Sequence, residues 1–395
     1  MKLVLIMIIS CFNVLSLMGT RPTVSLFAYD LGASATHIGL ITSLFSFFPL
    51  LFAIRLGKKI DYLHSKLALI IGGYLGVAGI ALPGIFPNIY SLYASQIIAG
   101  SAQTIFILAA QDYVGRISSN KNRSKNVSWF SLGVGVGMFL GPLTSGFAAD
   151  LTNYQMAFLM LAGVGLIGSI IISFIPDEPP IERDKNANGI ENSSNSFMKL
   201  LHIPSLRLAL IFSALVLFSR DLYMTFFPLL GVQFEYSDSV IGTFIAINGL
   251  AGVIIRFYLS RLITILGSTK LLTVTMLLMI VALVGLPFSP SLVVTGILVF
   301  FLGVGLGIGA PLSITLTLES TIQGRSAETL GLRLTVNRMT QVATPLLLGA
   351  VASAMGLVSM FIISACTISL GLGAAFKASK DPNGSGDNNE EVNDN

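Results

Sequence analysis

The amino-acid sequence predicts an all-α membrane protein: twelve transmembrane helices in two pseudo-symmetric six-helix bundles. Three observations carry that reading. Charged residues make up 11% of the 395-residue chain and hydrophobic ones 53%, with a strongly positive mean hydropathy, a balance no water-soluble domain of this length tolerates. Apolar runs able to cross a hydrocarbon layer of about 30 Å, roughly 20 helical residues each, recur from end to end. Finally, the pattern of the first half returns in the second.

The spans fall near 4–29, 37–55, 67–86, 89–111, 126–148 and 153–175, then near 206–230, 240–260, 270–288, 291–317, 330–352 and 355–376. In the first, Ile8-Ile9-Ser10-Cys11 resembles a lipoprotein cleavage box, but the hydrophobic character continues through Asn13 to Met18, as a first span should. Spans three and four share an uncharged stretch between Lys66 and Asp112 and are divided by Pro87-Asn88. Spans nine and ten share another between Lys270 and Glu319 and are divided by Ser289-Pro290-Ser291. The runs are continuous and lack alternation, which excludes a membrane β-barrel and leaves helices, whose backbone groups are satisfied internally. Cys11 and Cys366 both fall within spans and imply neither a disulfide framework nor a metal knuckle.

These runs set the domain organisation. Residues 1–175 form an N-terminal bundle, 176–203 a polar cytoplasmic linker, 204–376 a C-terminal bundle, and 377–395 an acidic tail expected to be disordered. With both termini inside, the basic clusters at 55–66, 116–125, 183–207, 256–270 and 325–338 all lie in the cytoplasm. Asp30, Asp150, Glu235 and Asp238 then mark the outer loops, as the positive-inside rule requires. The net charge of +4 is therefore a matter of topology, and a nucleic-acid partner has no support.

The repeat is specific. Sliding the chain by about 203 residues lays Ile38-Gly39 on Ile241-Gly242, Gly57 on Ser260, Gly100 on Gly303, Pro142 on Pro345 and Gly146 on Gly349.

Within the seventh span, LFSRDLYMTFFP sets Arg220 beside Asp221 where almost nothing else is charged. A charge at the bilayer centre costs about 3 kcal/mol on insertion scales, so such residues are functional hypotheses by default. Both lie about 20 Å along the span from Arg207, near mid-membrane. Arg21 in span one occupies a comparable place and can share a face with Arg220. Asp221 is the one acid near mid-membrane and so the candidate for proton coupling, because burial disfavours a charged carboxylate and a nearby arginine favours it. Arg21 and Arg220 bias the chamber positively, which suits an anionic substrate, a bias that Asp221 reduces. Gln96, Gln103 and Thr104, Asn248, Asn337 and Gln341 are candidate hydrogen-bonding residues of the same chamber. Arg338 lies a turn or two inside the membrane and is assigned to an inner gate.

Two six-span halves, a central loop and the following motifs resemble the major facilitator superfamily of secondary transporters, over about residues 4–376. The first motif, GKKIDYLHSK, keeps Gly57, Asp61 and Lys66 of the family's cytoplasmic signature, with Tyr62 and His64 where an arginine and a glycine usually stand. Its second-half copy keeps Arg256, Arg261, Gly267 and Lys270. A carboxylate there can accept bonds from a helix N-terminus or pair with arginines, acting as a latch. The resemblance implies an inner gate of Gly57, Asp61, Lys66, Asp112, Arg116, Glu319, Arg325 and Arg338, with Asp112 and Arg116 spaced to pair on one helix face. The second motif lies in GVGVGMFLGPLTSG, where Gly133, Gly137 and Gly141 line one face and Pro142 bends the helix. Gly137, Gly141, Pro142 and Gly146 are similar to the signature of the drug and metabolite efflux antiporters, with Ser145 replacing one glycine. The arginine that such exporters carry early in span four is absent, Gln96 and Ala99-Gly100 standing in that region.

The expectation is thus a monomeric, cofactor-free secondary transporter of the plasma membrane, exporting a small organic molecule in exchange for protons. The alternative is a carrier or importer of an organic anion or nutrient. Enzyme chemistry is disfavoured: His37, His64 and His202 lie at loops or span ends, and neither an HExxH-like cluster nor a phosphate-cradling GxxxxGK[ST] loop occurs. A channel would call for a repeated filter motif, which is absent.

Overall fold

The structure is a computed structural model and describes residues 2–62, 65–119, 122–177, 203–320 and 326–380. Twelve long helices follow one another: α1 (Lys2–Asp30), α2 (Ala35–Tyr62), α3 (Ser65–Ile85), α4 (Ile89–Arg116), α5 (Arg123–Leu151) and α6 (Tyr154–Ser173), then α7 (Pro204–Gln233), α8 (Asp238–Leu266), α9 (Ser268–Gly285), α10 (Leu292–Glu319), α11 (Ser326–Met355) and α12 (Leu357–Lys380). Among the described residues nine of them are long and apolar enough to cross a membrane, and α2 and α12 contribute shorter apolar stretches, Ala35–Leu51 and Leu357–Gly373. Large apolar side chains such as Ile167, Val281 and Ile297 stand exposed around the bundle, as a hydrocarbon solvent demands.

The breaks fall where the chain carries turn residues. Asn88, after Pro87, caps α4 by accepting a bond from the Ser91 amide at 3.0 Å. Asn153 caps α6 through the Met156 amide at 2.8 Å. Between α9 and α10 a single 3-10 turn, Leu286–Phe288, precedes Ser289-Pro290-Ser291. Residues 178–202 of the linker and 381–395 of the tail lie outside the described residues; α12 runs on to Lys380, past the expected start of the tail at 377.

Packing repeats between the halves. In the first half α1 lies on α5 and α6, α3 on α4 and α6, and α2 on α4; in the second α7 lies on α11 and α12, α9 on α10 and α12, and α8 on α10. The halves meet mainly through two seams, α2 with α11 and α5 with α8, with a smaller contact between α1 and α7.

At each seam backbone meets backbone. Gly39 packs on the Pro345 carbonyl and on Gly349, and at the equivalent place Gly242 packs on Pro142 and Gly146. A Cβ on Gly349 would come within 2.7 Å of the Ala35 carbonyl, and one on Gly242 within 2.5 Å of the Pro142 carbonyl, so only glycine allows this approach. Hydrogen bonds flank the crossings in the same register: Thr36 Oγ1 donates to Ser353 Oγ at 2.8 Å, and Ser239 Oγ to Asp150 Oδ2 at 2.6 Å. Tyr154 OH adds a bond to Asp238 Oδ1 at 3.2 Å.

All of these contacts lie towards the face that carries Asp30, Asp150 and Asp238, here called the acidic face. Towards the opposite, basic face, beyond Gly135 and Val253, α5 and α8 leave a cleft of about 580 Å³ between them. The molecule is thus closed at the acidic face and parted along α5 and α8 at the basic one.

Gly242→Leu tests this account. The added side chain overpacks the crossing, which costs about 1–3 kcal/mol, so the melting temperature should fall and a cysteine placed at Thr36 or Ser239 should react faster with a membrane-impermeant thiol reagent. An unchanged melting temperature together with unchanged reactivity would show that the crossing does not hold the acidic face shut.

Candidate functional site

Helix α7 carries Asp221 about 25 Å from its start at Pro204, close to the middle of the bundle. Asp221 is only 6% exposed, its Oδ2 has no hydrogen-bond partner, and it makes no ion pair within 4 Å among the described residues. The charges that bear on it come from Arg21 on α1, Arg220 on α7 and Arg338 on α11. One carboxylate and three guanidiniums from both halves therefore share one electrostatic neighbourhood, and in a low-dielectric interior such charges act over longer distances than in water.

Each arginine is held differently. Arg21 stacks on the Phe45 ring of α2, its Cζ 4.1 Å from the centroid, an interaction worth about 0.5–2 kcal/mol. Arg338 donates through NH1 to Gln341 Oε1 at 3.1 Å, and the same oxygen accepts a bond from Ser46 Oγ of α2 at 3.4 Å. That relay crosses the α2–α11 seam. Arg220 has no hydrogen bond or ion pair among the described residues and lies half-buried next to Asp221.

The remaining chamber candidates separate into two kinds. Asn248 donates through Nδ2 to the Val299 carbonyl at 3.1 Å and so ties α8 to α10, and Asn337 Oδ1 accepts from Ser213 Oγ at 2.8 Å and ties α11 to α7. Gln96 is fully buried with both amide atoms unpartnered among the described residues, and Gln103 Oε1 is likewise unpartnered; Thr104 turns back on the Gly100 carbonyl at 3.1 Å. Sequence reasoning missed Arg333, whose NH2 donates to Ser313 Oγ at 2.7 Å and whose residue is 9% exposed. The signal was present: Arg333, Asn337 and Gln341 are four apart and form one stripe of α11. Phe45 and Ser46 gave no such signal, being an ordinary aromatic and an ordinary serine in an apolar run.

Of the residues assigned to an inner gate, the structure brings two side chains together, Asp112 and Arg116, and adds Ser65, which the sequence does not single out. Arg116 NH2 lies 2.8 Å from Asp112 Oδ2, and Ser65 Oγ donates to the same oxygen at 2.6 Å. Ser65 opens α3, so the carboxylate also faces the positive end of that helix. Lys66 is half-buried beside it, and Glu319, the last residue of α10, is exposed. Gly57 and Asp61 lie on the α2 backbone with side chains outside the described residues, as Arg325 does altogether. Arg338 bonds to Gln341 and its charge bears on Asp221, and among the described residues it makes no bond to Asp112 or Arg116.

The glycine-rich face of α5 is accounted for by packing. Gly133, Gly137 and Gly141 lie against the carbonyls of Met7, Cys11 and Leu15 on α1, while Pro142 and Gly146 form the α5–α8 crossing. Among the described residues no group of three His, Cys, Asp or Glu is placed to hold a metal ion.

The comparisons with known proteins follow the same line. The family model described as Major Facilitator Superfamily matches residues 6–345. The chain is 23% identical over 256 residues to Multidrug resistance protein 2 of Bacillus subtilis (strain 168), covering 64% of each chain. To Quinolone resistance protein NorA of Staphylococcus aureus (strain Mu50 / ATCC 700699) it is 21% identical over 238 residues, covering 60% of each. The match thus spans less than two thirds of the length of these relatives. Among solved structures, a bacterial homologue of the human lysosomal transporter Spinster shares the fold at a TM-score of 0.77 and 14% identity, over 96% of both chains. The nucleoside transporter NupG does so at 0.77 and 14%, over 96% of this chain and 99% of its own. Sequence model, helix order and seam geometry agree: the chain belongs to the Major Facilitator Superfamily.

Proposed function

We propose that this protein is a secondary transporter that works by alternating access and exports a small organic molecule in exchange for protons. It would act as a monomer in the plasma membrane with its basic face towards the cytoplasm. The observation that carries this reading is Asp221: a mid-membrane carboxylate, unpaired among the described residues, whose neighbouring charges come from both halves of the molecule. When the seams at the acidic face part, Arg21 on α1 separates from Asp221 on α7, and the charge environment of the carboxylate changes with conformation. A group in that position couples proton occupancy to the state of the transporter. The relatives named for multidrug and quinolone resistance support the outward direction.

A second reading has its own observation. Arg21, Arg220 and Arg338 outnumber Asp221 three to one, which favours an organic anion as the cargo. The sign of the pH effect separates the two. A proton on Asp221 leaves the three arginines uncompensated, so acidification weakens the binding of a cation and strengthens that of an anion. The first pattern belongs to proton exchange with an exported cation, the second to joint movement of protons and an anion. The affinity of the purified protein for matched cationic and carboxylate ligands, measured at two pH values, distinguishes them.

Asp221→Asn should remove this dependence in either case. Coupling between two ligands is worth about 1–3 kcal/mol, or roughly 5–150-fold in affinity, so the variant in proteoliposomes should lose transport driven by a pH gradient while keeping exchange of substrate down its own gradient. Undiminished pH-driven transport would end the proposal. At the basic face, Asp112→Asn removes the charge that Arg116 and Ser65 address, at a cost of about 1–3 kcal/mol, and Ser65→Ala removes only a hydroxyl. A thermal unfolding series should rank the first below the second, and the reverse order would remove Asp112 from the latch.

A further inference from the structure

We infer that the cleft between α5 and α8 binds an anionic phospholipid of the surrounding membrane, its headgroup meeting Lys125 and Arg256 and its acyl chain lying against Trp129, Leu132, Val253 and Phe257. The cleft, about 580 Å³, falls within the range of roughly 300–1,000 Å³ typical of small-molecule sites. Among the described residues its lining contains two cations and no acid.

The charges sit at the depth of a headgroup. Counting from the Ser239–Asp150 bond at the acidic end, Arg256 lies about 25 Å along α8 and Lys125 about 38 Å along α5 at 1.5 Å per residue. A hydrocarbon layer of about 30 Å therefore ends between them. Both retain unused donors. Arg256 gives only its Nε to the Gly307 carbonyl, at 3.4 Å, which fixes the guanidinium to α10 and leaves NH1 and NH2 without a partner among the described residues. Lys125 has no hydrogen bond or ion pair among them. The walls are apolar and open: Phe257 is 75% exposed and Trp129 45%. Such a surface at hydrocarbon depth is solvated by a chain, and the two cations at its rim by a phosphate. Neutral lipids satisfy the walls but leave the excess positive charge unmatched.

The equivalent place on the other seam is built differently. The repeat lays Arg338 on Gly135 and Gln341 on Met138, so the α2–α11 seam carries the Arg338–Gln341–Ser46 relay where the α5–α8 seam has a bare glycine opposite Val253. A lipid in the cleft lies between two helices that must approach for the basic face to close, so its occupancy favours the conformation described here. This inference does not depend on whether the cargo is a cation or an anion.

Native mass spectrometry of the full chain with an equal mixture of phosphatidylglycerol and phosphatidylcholine of identical chains provides the test. Wild-type protein should retain phosphatidylglycerol in preference, roughly tenfold or more, and the K125Q/R256Q variant should lose that preference. Equal retention by the wild type, or an undiminished preference in a variant that elutes as a monodisperse species, overturns the site. Should the variant fail to fold, phosphatidylglycerol with a photoreactive acyl chain, applied to the wild type, decides instead: labels within 125–135 and 253–257 support the site, and labels confined elsewhere overturn it. Inorganic phosphate alone should not displace the lipid; displacement would assign the two cations to a soluble anion instead.

Discussion

The structure depends on two places where helices cross with no side chain between them. Gly39 lies on Pro345 and Gly349, and Gly242 on Pro142 and Gly146. Without a hydrophobic effect between helices in lipid, association rests on close van der Waals packing and on polar groups that find partners. Each crossing supplies the first through glycine and the second through Thr36–Ser353 or Ser239–Asp150. The bonds at these two crossings are few and short, and further towards the middle only the weaker Ser46–Gln341 contact bridges a seam among the described residues, so the acidic face is closed by a local contact.

On the proposed alternating-access reading, release of that contact is what would give the central charges a use. Asp221, Arg21, Arg220 and Arg338 are distributed over α1, α7 and α11, so no motion within one bundle regroups them all, whereas a rocking of one bundle on the other does. A static ion pair would instead be expected to close to within hydrogen-bonding distance, since an unpartnered buried charge costs more than a paired one. Asp221 Oδ2 has no such partner among the described residues. On that reading the cost of leaving the carboxylate open is tolerated because the group changes partners, and the same reasoning does not apply to Asp112, whose Oδ2 is held by Arg116 and Ser65.

Much of the architecture was legible because a bilayer imposes length, continuity and charge asymmetry on a sequence. Breaks at Pro87-Asn88 and Ser289-Pro290-Ser291, the charge pair in α7 and the repeat all followed from those constraints. The residues that mark the repeat turn out to build the seams, Gly39 lying on Pro345 and Gly349, and Gly242 on Pro142 and Gly146, a use the sequence alone does not give them. What the chain did not disclose is which polar residue faces which helix. Asn248 and Asn337 look like chamber residues in sequence, but each bonds inside its own half, because a polar group in an apolar span satisfies itself on the nearest backbone or hydroxyl. Arg338 reads as a gate residue by its distance from the basic end, yet the helix turns it towards Gln341 and Asp221. Depth can be counted along a chain; azimuth on an imperfect helix with a proline at 345 cannot.

The repeat is informative where it fails as well as where it holds. Thr36 and Ser239 play the same part, as do the glycines, so the closing contacts at the acidic face have kept their symmetry. Nearer the middle the equivalence lapses: Ser46 corresponds to Gly249, Gln341 to Met138 and Arg338 to Gly135. One seam there is polar and bridged, the other small and apolar. A symmetric pair of seams would open and close alike and leave the chamber with balanced walls. The asymmetry instead places the bridging Arg338–Gln341–Ser46 relay on the α2–α11 side and the lateral cleft, with Lys125 and Arg256 in its lining, on the α5–α8 side.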